Sequence, residues 1–280
     1  LGLVDVEFVV DGGGVVVGPV QVDQLQLRGT VSERVLTMAD ARALVFGGEV
    51  RGALSVTSAR GVSLETNLAG TNIDVGSASE ELGFGVFGTG NGAFDLSLAG
   101  TGLSALALVS SLKGEGSFQI DEGTLSGVDL AALSDGLLQL ERNEDFAPLA
   151  EATLTSGATP YDEISGRIAV TSGVMRAPDI SIIADAAAGK TSAFADIGRT
   201  ALDVETAFTL KQPEGAPAAS VVLSGDFEAP ERSINTVELE AFAGRQLLQQ
   251  EIDALGEGAA NEVRVILDLP EGAEEQSATP

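Results

Sequence analysis

The chain has 280 residues, 44% of them apolar but only 4% aromatic, and a formal charge of −27 at pH 7. An interior of real size is therefore available and must be aliphatic, while so acidic a balance argues against nucleic-acid binding, which needs clustered Lys and Arg, and against direct docking on an anionic membrane surface. With no His and no Cys, disulfides, thiolate chemistry, the usual general base near pH 7 and most transition-metal sites are removed.

Apolar/polar alternation with a period of two begins at once and predicts strands along most of the chain. Val4, Val6, Phe8 and Val10 share one face, with Asp5 and Glu7 on the other. Val50, Leu54 and Val56 oppose Glu49, Arg51 and Ser55, and Val62, Leu64 and Leu68 oppose Ser63, Glu65 and Asn67. The pattern continues through Phe94, Leu96 and Leu98, then Phe118 and Ile120, then Ile164, Ile168 and Val170. It returns at Leu202, Val204, Phe208 and Leu210, and again at Val221, Leu223 and Phe227. One apolar and one polar face per strand predict an antiparallel sheet that is wet on one side. Turns are expected at Gly12–Gly14, Gly47–Gly48, Arg60–Gly61, Gly100–Gly102, Ser172–Gly173, Gly189–Lys190 and Gln212–Ala216.

Helical spacing interrupts this grammar near residues 103–112, 129–141 and 236–255. Asp129 is placed to cap the second of these, with Leu130, Leu133, Leu137 and Leu140 on one stripe. Asn235 and Glu238 have the spacing of a capping box for the third. Residues 141–158 read as irregular, and the acidic, apolar-poor stretch 270–280 reads as a disordered tail. The expected architecture is mainly β with a few helices: one elongated domain over residues 1–269, built on a long, curved antiparallel sheet. Because the chain opens at Leu1 rather than Met, a longer parent is expected, with any anchor or export signal upstream.

Reactive constellations are missing. No nucleophile elbow of the form G-x-S-x-G occurs, and the absence of His excludes a catalytic triad of the usual kind. Ala184–Thr191, ADAAAGKT, is one Gly short of a phosphate-binding loop and is followed by another strand pattern, so a hairpin is the better reading. Gly88–Asp95 holds one out-of-register copy of a calcium nonapeptide, a motif that works in tandem. The adjacent Asp121 and Glu122 sit in a solvated turn, unlike the separated acids of a glycosidase. The expectation is a non-catalytic chain without a cofactor or metal site.

One set of residues has a recognisable order. Gly114, Gly116 and Phe118 lead into Asp121, Gly123, Gly127, Asp129 and Leu130. These are followed by Thr159, Pro160 and Tyr161 with Ile164, Ser165 and Gly166, then Ser172, Gly173, Val174 and Asp179, and finally Leu223, Gly225 and Pro230. Together with the strand pair at 44–56 and the helix before Gly114, this succession resembles the C-terminal part of AsmA-family proteins over roughly residues 15–255. The chain departs from the family at Gly189, Lys190 and Thr191, where a Gly-x-Gly turn is more usual.

The resemblance implies a Gram-negative envelope protein with a periplasmic body, tethered to the inner membrane by an N-terminal helix. It further implies an open, taco-like β-groove that shelters or transfers lipid acyl chains in support of outer-membrane assembly or lipid homeostasis, as in related bridge-like proteins. Phospholipid or another envelope lipid would be its ligand, with envelope proteins as further partners. The groove candidates are Val50, Leu54, Phe94, Leu96, Leu98, Phe118, Ile120, Ile164, Ile168, Val204, Phe208, Val221 and Leu223. About ten strands spaced ~4.8 Å apart would make a trough of roughly 45–50 Å. The other reading makes the same face an ordinary closed core in an envelope scaffold, and alternation alone does not separate the two.

Overall fold

A computed structural model describes residues 5–17, 20–58, 61–83, 88–227 and 229–254. Thirteen strands form a single antiparallel sheet in which spatial order follows chain order. They are β1 (Val6–Val17), β2 (Val20–Ser32), β3 (Val35–Val45), β4 (Gly48–Thr57), β5 (Val62–Asp74), β6 (Gly88–Gly102) and β7 (Lys113–Ser126). The sheet continues with β8 (Ala158–Thr171), β9 (Val174–Ile183), β10 (Ala187–Asp196), β11 (Ala201–Leu210), β12 (Ala219–Asp226) and β13 (Pro230–Asn235). The mainly β class expected from alternation is what forms, and the sheet does not close into a barrel. Several hairpins turn on two residues, both with positive φ: Glu33 and Arg34, Phe46 and Gly47, Ser172 and Gly173. That geometry suits the right-handed twist of the strands it joins.

Among the described residues, four α-helices interrupt the meander and a fifth follows it: α1 (Val75–Glu81), α2 (Ala105–Val109), α3 (Leu130–Leu138), α4 (Phe146–Leu154) and, last, α5 (Val237–Ala254). The three expected helices correspond to α2, α3 and α5. Asp129 caps α3 as expected, accepting from the Ala132 amide at 2.9 Å. Asn235 Oδ1 accepts from the Val237 amide at 3.3 Å at the start of α5. Two helices were not anticipated. Helix α4 occupies the stretch read as irregular and buries Phe146, Ala150 and Leu154 on one line. Helix α1 buries nothing fully and starts from Asp74, whose carboxylate accepts from the Ser77 amide at 2.6 Å.

Three glycine clusters read as turns lie in strands: Gly12–Gly14 in β1, Gly100–Gly102 at the end of β6, and Gly189–Lys190 in β10. The hairpin expected at the phosphate-loop look-alike does form, turning at Asp185 and Ala186. Arg60 and the tail 270–280 lie outside the described residues.

The main core sits at one end of the sheet. Leu130, Leu133, Phe146, Leu154 and Leu239 of α3, α4 and α5 are almost wholly buried. They pack with Ile182, Ala187, Phe208, Leu210, Ala219 and Val221 from β9 to β12. The sheet curls around this plug. From β13, Arg232 reaches the end of β7, where its Nη1 donates to Gly127 O at 2.7 Å. Away from the plug, α1 and α2 rest mainly on the strand ends of β5 and β6, with Glu81 of α1 also accepting from the Gln21 amide of β2 at 3.2 Å. A Cβ on Gly92 would lie 3.2 Å from Val75 at one margin, and a Cβ on Gly100 would lie 3.1 Å from Leu112 at the other.

A continuous apolar face as the candidate functional site

Strand register decides which side chains share a face, because a slip of one residue would turn every side chain over. Here the ladders place all thirteen groove candidates on the same side. One cross-strand row runs Ala43, Val50, Gly70, Phe94, Phe118, Gly166. The next runs Ala41, Gly52, Leu68, Leu96, Gly116, Ile168. A third runs Met38, Leu54, Thr66, Leu98, Gly114, Val170. Towards the plug, Ile120 pairs with Ile164, Ile164 with Ile182, Ile182 with Gly189, and Gly189 with Phe208. Beside them, Thr206 pairs with Val221, and Ala193 with Val204, which in turn opposes Leu223.

Burial divides these residues. Phe208 and Val221, under the plug, are 3% and 6% exposed. The other eleven are half-buried. Towards β1 the face opens further, with Val10 and Val31 about two-fifths exposed. Among the described residues the helices pack mainly on β5 and β6 and, through the plug, on β8 to β12, which leaves the apolar face of β1–β4 without a helical layer. Thirteen strands at ~4.8 Å spacing give an arc of roughly 60 Å, longer than the sequence-based figure because the strands number thirteen.

Sequence reading missed part of this surface. Ile180, Ile182 and Thr191 line a cavity of about 330 Å³ with Phe118, Leu202, Val204 and Leu223. The alternation of Ile180 and Ile182 was present to be read; the curl that brings them against Leu223 was not. Nor did alternation foretell the switch after Glu122. Its φ of 47° marks an irregularity beyond which odd-numbered residues face the core, namely Leu125 and Tyr161. Tyr161 donates to Thr89 O at 2.6 Å, and burial, aided by the negative charge of Asp121, raises the pKa of its phenol.

The opposite face is polar. Glu49 and Arg51 make two hydrogen bonds of 2.7 Å there, and the Arg51 bond holds the Glu49 carboxyl below the ordinary carboxylate range. A broad concavity of about 740 Å³ opens on this side beside Asp95, Gln119, Arg167, Asp179 and Lys190. The ion pair of Lys190 with Asp179 there, at 3.4 Å, is exposed on both partners and worth little. Among the described residues no group of His, Cys, Asp and Glu is arranged to hold a metal ion. No described helix is long and apolar enough to cross a membrane.

No protein-family model, curated protein or solved structure matches this chain.

Proposed function

We propose that the apolar face is a seat for lipid acyl chains, and that the chain is a non-catalytic, AsmA-like envelope protein that shelters or transfers lipid along it. The observation that carries this reading is the long apolar surface left half-exposed between β1 and β6, beyond the helical plug. Contiguous apolar patches of more than a few hundred Å² are rare on monomeric soluble proteins and mark interaction sites. An acyl chain is a fitting occupant because the surface is aliphatic and carries no reactive group. Each methylene it buries contributes about 0.8 kcal/mol. A periplasmic location, an inner-membrane tether and a role in outer-membrane assembly or lipid homeostasis rest on the family resemblance alone.

A second reading, a scaffold with an ordinary core, is favoured by the plug itself. There, Leu133 and Leu239 are fully buried against the β9–β12 end of the same face. The two readings divide at the uncovered strands.

Photo-crosslinkers at Leu98, Ile168, Val204 and Leu223 are expected to capture lipid in cells, while crosslinkers at Asp203 and Glu205 on the polar face are not. Equal labelling of both faces, or none at all, overturns the groove reading. Mass spectrometry of organic extracts from the purified protein identifies whatever is carried.

A further inference from the structure

Among the described residues Arg232 is the only charged side chain lining the apolar cavity of about 330 Å³. It ends an aliphatic row, standing opposite Leu223, which itself opposes Val204. Nη1 donates to Gly127 O at 2.7 Å and to Leu154 O at 3.5 Å. Both acceptors are neutral carbonyls. Among the described residues no carboxylate lies within ion-pairing distance of this guanidinium, although the chain carries 42 acids. A guanidinium has five N–H donors, and the two described bonds both come from Nη1, so the edge formed by Nε and Nη2 is uncommitted among the described contacts.

We propose that this cavity is a subsite for one acyl chain of an anionic amphiphile, whose oxyanion head group pairs with Arg232. The inference rests on the lipid-handling reading and gives it a location and a head-group class. About 330 Å³ is at the small end of the ~300–1,000 Å³ usual for ligand sites, which suits a single chain. Charge complementarity selects the head group. Across a protein of net charge −27 an anion is repelled almost everywhere, whereas a guanidinium edge matches a carboxylate or a phosphate with two parallel bonds. Exposed at the rim, Arg232 leaves the head group in water while the chain enters between Val204 and Phe118.

Calorimetric titration of the 280-residue chain with decanoate, decyl phosphate and decanol, each below its aggregation concentration, tests the assignment. Both anions are expected to bind about tenfold or more tightly than decanol, the scale of one charge-assisted contact. Arg232→Gln should bring the anions down to the level of decanol, and Arg232→Lys should recover part of the difference. Because Arg232→Gln also removes the tie to Gly127, Val204→Trp provides a second probe: it fills the cavity, keeps the cation and should abolish binding of all three. Equal affinity for anions and alcohol in the unaltered chain, or undiminished anion binding in a folded Arg232→Gln variant, overturns the proposal. Lipid still captured at Leu98 after such a result would retire the Arg232 subsite and leave the wider face standing. Charge-selective decanoate binding without capture at Leu98 would uphold the subsite and retire the trough.

Discussion

The Phe94 ring lies over Gly70 of the neighbouring strand, so close that a Cβ on Gly70 would overlap three of its carbons. The same exchange recurs along the apolar face, with Phe118 beside Gly166 and Ile182 beside Gly189. Large side chains thereby fill the space above small neighbours within one layer, which explains how an uncovered face reaches half-burial without a second layer.

Gly70→Ala therefore forces the Phe94 ring aside and is expected to cost about 1–3 kcal/mol, the usual penalty for overpacking. Pairing it with Phe94→Leu should return much of the loss, a coupling that a double-mutant cycle in urea measures. Strict additivity of the two changes would show that the ring does not need the glycine.

Those glycines also explain what could be read beforehand. The alternating residues named the apolar face because a half-buried strand must alternate, and the register then confirmed a shared side for Val50, Phe118 and Leu223. Gly100, Gly102 and Gly189 were assigned to turns by composition. In the sheet they serve close approach instead: Leu112 and the α2 backbone crowd the first two, and Ile182 crowds the third. Helix α4 went unread because its buried side, Phe146, Ala150, Thr153 and Leu154, holds only two large apolar residues and follows a charged stretch. Helix α1 carries no fully buried residue at all, so no hydrophobic period was there to find. The closing of β13 towards β7 depends on Arg232 meeting two backbone carbonyls 105 and 78 residues away, a contact that leaves no local pattern.

Stability and function should separate along the sheet. Leu133 is wholly buried in the plug, so Leu133→Ala is expected to cost about 2–5 kcal/mol. Leu98, half-buried on the open part of the face, has less to lose. Leu98→Asp should leave a cooperative melting transition while removing lipid capture at Ile168, two strands away on the same face, whereas Leu133→Asp should abolish the transition. Thermal melts followed by circular dichroism, run beside the crosslinking, make the comparison. Comparable destabilisation by both Asp variants would mean that the open strands share the closed core.

The α1 cap gives a pH dependence. Hydrogen bonds from the Ser77 amide, and then from its hydroxyl, hold the Asp74 carboxyl below its ordinary pKa. A carboxyl depressed in the folded state contributes stability above its unfolded pKa and loses it as the pH falls through the folded value. Protection of the Ser77 amide against hydrogen exchange is therefore expected to be full near neutrality and to fade below about pH 4, the ordinary Asp value. Asp74→Ala should cost about 1 kcal/mol of local stability at neutral pH. Asp74→Asn, which keeps an acceptor but not the charge, should flatten the pH response; an unchanged response in that variant would move the effect to another acid.

Tyr161 offers the most direct reading of the sheet interior, because it is the chain's single tyrosine and no tryptophan obscures it. Burial first, and the Asp121 charge second, raise its pKa. The sign of the linkage follows: the phenol of the unfolded chain ionises near pH 10, so the stability contribution is complete below that value and declines as the pH climbs through the higher folded pKa. A spectrophotometric titration near 295 nm should give a midpoint above 10 in the native protein and near 10 in urea. Asp121→Asn should move the native midpoint only part of the way down, since burial is the larger cause. Tyr161→Phe deletes the bond to Thr89 O and strands that carbonyl, with an expected loss of about 1–3 kcal/mol. A native midpoint at 10, or a Phe variant as stable as the parent, would place the ring in solvent rather than across Gly123 of β7 towards β6.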